Sequence, residues 1–123
     1  MKTYIINLPE KHDKLNNTMS ELSKVPSIAT DVKIIPAIRH AQGWEGCRRS
    51  HLVALMDSPR EPFMIVEDDV IFCADNPDEL IKKALSELPE TWDMLYLGAT
   101  LNTDLDKYSD HLYRLSDAWT THA

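Results

Sequence analysis

Three adjacent carboxylates interrupt an apolar segment near the middle of the chain. Residues 63–72 read FMIVEDDVIF, so Glu67, Asp68 and Asp69 have apolar residues on both sides. Adjacent carboxylates repel one another, and a hard divalent cation such as Mg²⁺ or Mn²⁺ stabilises them because it takes oxygen ligands. In an extended chain, residues two apart point to the same side. Glu67 and Asp69 are therefore predicted to face one metal site, while Asp68 faces the other way.

A metal at these acids would support phosphate chemistry. Such ions often bind through one or two carboxylates together with substrate phosphates, where they neutralise charge that develops on a diphosphate. The simpler interpretation is that the acids end a strand in a solvated loop. It stays open on the residues alone, although the apolar runs on both sides weaken it, because solvating acids inside such a segment needs a cavity or a bend.

The second candidate group is the segment 43–51, GWEGCRRSH. Two glycines before a helix allow the backbone to approach a ligand, and a helix N-terminus favours phosphate, with added charge from Arg48 and Arg49. A loop, a helix start and two surface arginines are the simpler interpretation. Nothing marks His51 as a base for a Cys47 nucleophile, because residues four apart on a helix are only candidate neighbours.

Cysteine usage points to a reducing compartment. Cys47 and Cys73 lie far apart and lack CxxC spacing, so we interpret them as reduced thiols of a cytoplasmic protein. Neither has a second cysteine or a histidine at the spacing of a structural zinc site. The sequence therefore gives no support for structural zinc.

The elements that must position these groups follow from the pattern of apolar residues. Apolar runs predict four strands of a central sheet, at 3–8, 32–35, 63–67 and 94–97. Helical spacing predicts helices at 10–24, at about 45–57 and at 77–88, the last starting with Asn76-Pro77. Two short final strands are predicted at 112–115 and 119–123.

Strands that alternate with helices indicate an α/β fold, with a mostly parallel sheet and helices on both faces. Ligands of such sheets bind beyond the carboxyl ends of the strands. The acids at 67–69 follow one of those ends, so the predicted fold places them where a ligand is expected.

Composition narrows the class of partner. The chain has 123 residues and a net charge of −7, from 13 basic and 20 acidic residues, which disfavours nucleic acid as a partner. No apolar run approaches the ~20 residues that span a bilayer. The first nine residues are not typical of a signal peptide. We expect one domain in the cytoplasm.

Four short motifs in order resemble glycosyltransferase family 25, the group that includes lipooligosaccharide galactosyltransferases. The matching positions are Ile5-Ile6-Asn7-Leu8; Gly43, Gly46, Cys47, Ser50 and His51; the Glu-Asp-Asp strand end within 66–70; and Trp92-Asp93-Met94-Leu95-Tyr96-Leu97-Gly98. The resemblance covers essentially all of the chain. It implies a GT-A fold, a Rossmann-like sheet that binds a nucleotide sugar.

The resemblance also implies roles for individual residues. The acid cluster would serve as the DxD motif, with Asp69 and then Glu67 coordinating Mn²⁺ or Mg²⁺ on the diphosphate of a UDP-sugar. Asn7 would lie near the nucleotide. The other implied donor-binding positions are Lys11, Gly43, Gly46, Ser50, His51 and Asp68. Lys11 and Lys14 stand where the family usually has arginines, and a lysine lacks the bidentate fork. No general base is assigned.

The implied function is metal-assisted transfer of a hexose such as galactose from a nucleotide diphosphate sugar to a glycan or lipooligosaccharide acceptor, which would bring the protein to the inner face of the membrane. One alternative is a non-catalytic nucleotide-sugar or metal-binding module. Another is a receiver or phosphohydrolase domain, but those usually place their acids after the first strand, where this chain has Asn7-Leu8-Pro9.

Family members are longer than this chain. We therefore expect residues 1–123 to form a single GT-A-like domain, either the N-terminal part of a longer pattern or a naturally short relative. The chain would then bind the donor, a UDP-sugar, and transfer it slowly or not at all. An exposed sheet edge would favour self-association, so a homo-oligomer is compatible with this expectation.

Overall fold

The computed structural model describes residues 1–101, 104–115 and 118–119. They form three helices and seven strands: β1 (Lys2–Asn7), α1 (His12–Leu22), β2 (Asp31–Pro36), α2 (Gly43–Asp57), β3 (Phe63–Glu67), α3 (Pro77–Ser86), β4 (Thr100–Leu101), β5 (Asp106–Lys107), β6 (Tyr113–Arg114) and β7 (Ala118–Trp119). The chain clusters into two compact units, the first spanning Met1–Asp78 and the second beginning at Glu79. The predicted α/β class is confirmed.

The first unit is built on a parallel sheet of three strands in the order β2-β1-β3. The central strand β1 is buried from Thr3 to Asn7, which is why its sequence is a short, nearly continuous apolar run. From β1 the chain passes outward to β2 and then back across β1 to β3. Right-handed connections in opposite directions place α1 and α2 on opposite faces of the sheet.

One part of the core of this unit lies on the α2 face of the sheet. Tyr4, Ile6, Ile35 and Ala54 form one buried apolar cluster. The Tyr4 hydroxyl donates to the carbonyl oxygen of Asp57 at 2.8 Å, which ties the last residue of α2 to the amino-terminal half of the sheet. The first turns of α2 therefore lie towards the carboxyl ends of the strands, where the candidate ligand groups are.

The predicted strand at 94–97 is wrong. This segment has no regular structure, and its apolar side chains are largely in solvent, with Met94 62%, Tyr96 43% and Leu97 47% exposed. A strand needs a neighbour for its backbone hydrogen bonds. Among the described residues, however, β3 pairs only with β1. The parallel sheet consequently has three strands and not the four that were predicted.

The second unit contains short antiparallel pairs. β4 pairs with β7, and β5 pairs with β6. The strand predicted at 112–115 is confirmed as β6, and the helix predicted from Pro77 is confirmed as α3. Of the strand predicted at 119–123, only Trp119 is a described residue, and it lies in β7. The rest of that prediction falls outside the described residues.

None of the helices in the described part of the chain has the length and apolar character that crossing a bilayer requires.

Candidate functional site

The candidate site lies where β1 and β3 end, beside the first half of α2. Parallel register aligns Ile6 of β1 with Glu67 of β3. Neighbouring residues in such a register point to the same face of the sheet, so Glu67 shares the α2 face with Ile6. This placement brings the first of the three acids against a helix that carries a cysteine and a histidine.

Close packing of α2 on the preceding loop sets the position of that helix. A Cβ on Gly46 would overlap the carbonyl oxygen of Ile38 and lie 3.3 Å from the backbone nitrogen of His40. The buried Ser50 hydroxyl accepts a hydrogen bond from the Ile38 N–H at 2.8 Å and donates one to the Gly46 carbonyl at 2.8 Å. Gly46 and Ser50 thus fix the helix. Gly43 has open space where a side chain would begin.

The two arginines that were expected to add charge for a phosphate are engaged by a neighbouring acid. Glu45 accepts from Arg48 Nε at 2.8 Å and from Arg49 Nε at 2.6 Å. The hydrogen bond from Arg48, with that from Arg49 next, lowers the pKa of Glu45 to about 2. A phosphate at this helix N-terminus would have to compete with the Glu45 carboxylate for both guanidinium groups.

Cys47, His51 and Glu67 converge on the sheet edge. Cys47 Sγ lies 3.6 Å from His51 Nδ1 and 3.7 Å from Glu67 Oε1, and His51 Nε2 lies 3.8 Å from the same carboxylate oxygen. One ligand atom from each residue lies within 4.8 Å of the other two, close enough to hold a metal ion. Cys47 therefore does have a histidine at ligand distance, and the expectation that neither cysteine has one is wrong for this residue.

Sequence reasoning missed this group for an identifiable reason. Cys47 and His51 are four apart, which places them on one face of a helix. That spacing was visible in the sequence, but the third member comes from a strand twenty residues away. The available signal was a Cys-x-x-x-His pair followed by an acid at a strand end, and nothing local indicates that the two meet.

Burial sets the ionisation of Glu67. Partial removal from solvent raises the pKa of Glu67 above its ordinary value of 4.5, the charge of His51 opposes this shift, and the charge of Asp69 adds to it. The strand ends at Glu67, and Asp69 lies exposed in the turn that follows. The predicted shared site assumed that side chains continue to alternate between the two faces of a strand from Glu67 to Asp69. That alternation ends with the strand at Glu67. Coordination by both Glu67 and Asp69 stays a prediction.

The remaining predicted donor residues lie towards α1. Asp68 Oδ1 is 3.2 Å from Lys14 Nζ of α1, so Asp68 points away from the group around Glu67. Asn7 is buried, and its Nδ2 donates to the Leu8 carbonyl at 2.8 Å, while its Oδ1 has no hydrogen-bond partner among the described residues. Lys11 precedes α1 and is exposed.

Comparison with known proteins adds no assignment. No family model matches the chain, and no curated protein or solved structure matches it significantly. What the structure itself establishes is an α/β unit with a three-stranded parallel sheet and a group of candidate ligands at its carboxyl edge.

Proposed function

We propose that this chain is the donor-binding part of a metal-assisted hexosyltransferase similar to glycosyltransferase family 25. The observation that supports it is the run of carboxylates from Glu67 to Asp69 at the carboxyl end of β3, beside the end of the central strand. Ligands of open α/β sheets bind at such an edge. The donor would be a nucleotide diphosphate sugar, and the acceptor a glycan or lipooligosaccharide.

The residues present suit a hard divalent ion with a diphosphate. Glu67 is desolvated and lies near the charge of Asp69, which together raise its pKa, and a cation there would relieve both effects. When bound, Mn²⁺ or Mg²⁺ would neutralise charge on the leaving diphosphate. The chain itself would hold the ion through Asp69 and Glu67. Lys14, already 3.2 Å from Asp68, would supply positive charge at the same edge.

Coupling between metal and nucleotide tests this proposal. Calorimetric titration with UDP should show affinity that rises on the order of 10-fold when Mn²⁺ replaces a chelator, because phosphate oxygens complete the coordination of the ion. Asp69→Asn should remove most of that rise. Asp31→Asn is the matched control, since Asp31 begins β2 at the opposite end of the sheet and should leave the rise intact. Equal UDP affinity with metal, with chelator and in Asp69→Asn would refute the proposal.

A second assay separates transfer from binding alone. Release of UDP from UDP-galactose is measured with and without glycan acceptors, on the same samples. Release that depends on an acceptor supports a transferase. Metal-coupled donor binding without release assigns the chain to the alternative, a nucleotide-sugar-binding module.

A further inference from the structure

We propose that Cys47, His51 and Glu67 form a binding site for a thiophilic divalent metal, with Zn²⁺ as its ligand. This site does not depend on nucleotide binding. It differs from the oxygen-ligand site proposed above in the chemistry of its donors, one sulfur, one nitrogen and one oxygen. The two sites share Glu67, so Zn²⁺ bound here would compete with an ion held by Glu67 and Asp69.

The separations between the three side chains are close to those of a tetrahedral zinc site. In such sites Zn–S is about 2.3 Å and Zn–N and Zn–O are about 2.0–2.2 Å, so neighbouring ligand atoms lie roughly 3.3–3.6 Å apart. Here the separations are 3.7 Å from Cys47 Sγ to Glu67 Oε1 and 3.8 Å from His51 Nε2 to the same oxygen. Side-chain rotations that bring Nε2 to a similar distance from Sγ would close the site around an ion.

The backbone selects the ligand nitrogen of His51. Nδ1 lies 3.0 Å from the carbonyl oxygen of Cys47, which can only accept a hydrogen bond. In the neutral ring Nδ1 therefore carries the proton and Nε2 carries the lone pair, directed to the side of Glu67. Metal-bound histidines commonly donate their other ring N–H to a carbonyl in this way.

Charge at the site also favours a cation. A histidine ring nitrogen, a carboxylate oxygen and a cysteine sulfur lie within 4.8 Å of one another. A divalent ion would bind the carboxylate and the thiolate and would displace the thiol proton. Mixed sulfur, nitrogen and oxygen donors suit Zn²⁺, whereas Mg²⁺ and Mn²⁺ prefer oxygen. All three side chains are partly exposed, which leaves a route for the ion and a fourth position for water.

Cobalt substitution tests the site on the full chain. Co²⁺ should bind with a thiolate-to-cobalt charge-transfer band and the strong visible absorption of tetrahedral cobalt, and Zn²⁺ should displace it. Cys47→Ser should abolish the charge-transfer band. Cys47→Ser and His51→Gln should each weaken Zn²⁺ binding by more than the roughly 10–100-fold that loss of an outer-shell partner costs. Cys73→Ser is the matched control, because Cys73 is the other cysteine and is exposed.

A measurement on the unmodified chain keeps the proposal testable if a variant fails to fold. Zn²⁺ should protect Cys47 from alkylation and leave Cys73 unprotected, with both sites quantified by mass spectrometry in one sample. Asp69→Asn should retain the Zn²⁺ affinity of the unmodified chain, since Asp69 is not among the converging ligands. Equal alkylation of both cysteines at saturating Zn²⁺, or unchanged Zn²⁺ affinity in folded Cys47→Ser, would overturn the zinc site.

Discussion

Two glutamates in this chain each lie beside a histidine, and their carboxyl groups respond in opposite directions. Glu67, in the first unit, is 32% exposed, and its pKa is raised mainly by burial. Glu87, in the second unit, is 25% exposed, and hydrogen bonds from Ser109 and then His111 lower its pKa to about 2. Exposure is similar, so burial alone does not decide the direction of the shift.

The number of hydrogen-bond donors to each carboxyl group decides the direction of its pKa shift. Glu87 accepts from the Ser109 hydroxyl, from the His111 N–H at 3.0 Å and from His111 Nδ1 at 2.5 Å. Hydrogen bonds to a carboxylate stabilise its charged form, so these three donors lower the pKa of Glu87. Among the described residues, the Glu67 carboxyl group has only a thiol at 3.7 Å and a histidine nitrogen at 3.8 Å. A carboxylate already bonded within the protein is structural, whereas one with weak partners at a sheet edge is suited to bind a ligand.

The largest expected effect comes from moving the helix that builds the Glu67 group. In Gly46→Ala, the new methyl group would overlap the Ile38 carbonyl oxygen, and neither backbone can yield easily. Overpacking of this kind costs about 1–3 kcal/mol. We expect a lower thermal midpoint and weaker Zn²⁺ binding, because Cys47 and His51 move relative to Glu67.

Gly43→Ala is the control for that variant, since no atom of the described residues lies within 4 Å of the position that its Cβ would take. Its stability should equal or slightly exceed that of the unmodified chain, because alanine is favoured over glycine in helices by up to about 1 kcal/mol. Identical melting curves for Gly46→Ala and Gly43→Ala would show that helix placement does not depend on Gly46.

The next effect is a difference in pH dependence between the two glutamates. The pKa of Glu87 falls from 4.5 to about 2 on folding, so its contribution to stability is present above 4.5 and is lost as pH falls through about 2. Glu87→Gln should therefore lower the thermal midpoint at neutral pH and remove much of the loss of stability in acid. Thermal melts across this range, with a chelator present, measure it.

Glu67→Gln is expected to act in the opposite direction. Because the pKa of Glu67 is raised above 4.5 on folding, its favourable contribution is present below 4.5 and is lost as pH rises through the raised value. Without metal, Glu67→Gln should keep or raise the midpoint at neutral pH. If Glu67→Gln and Glu87→Gln lower the thermal midpoint equally at neutral pH, the pKa values of the two glutamates do not shift in opposite directions.

The smallest expected effect concerns one donor to Glu87. Ser109→Ala removes the hydroxyl hydrogen bond, and the two from His111 remain. The pKa of Glu87 should then rise part of the way from about 2 towards 4.5, which NMR titration of its carboxyl carbon can follow. Ser86→Ala is the control, because the Ser86 hydroxyl donates to the Lys83 carbonyl and not to Glu87. A Glu87 pKa unchanged by Ser109→Ala would mean that His111 alone sets it.

Much of the parallel sheet was predictable from the sequence. The runs that became β1, β2 and β3 are short, apolar and separated by helical patterns, and each helix lies within the predicted range or begins within two residues of it. Strands covered by helices need side chains that suit burial, so the sequence records their position directly. The placement of Glu67 at a strand end follows from the same pattern.

Tertiary structure alone decided the rest. The segment 94–97 has an apolar pattern much like that of β3, yet it forms no strand, because a strand also needs a backbone partner that no local pattern supplies. The spacing of Cys47 and His51 indicates a shared helix face, but only the register of β3 and the packing of α2 bring Glu67 to them. Likewise, Glu87 meets Ser109 and His111 across more than twenty residues. Contacts between residues so far apart in sequence depend on tertiary packing, which a single sequence does not reveal.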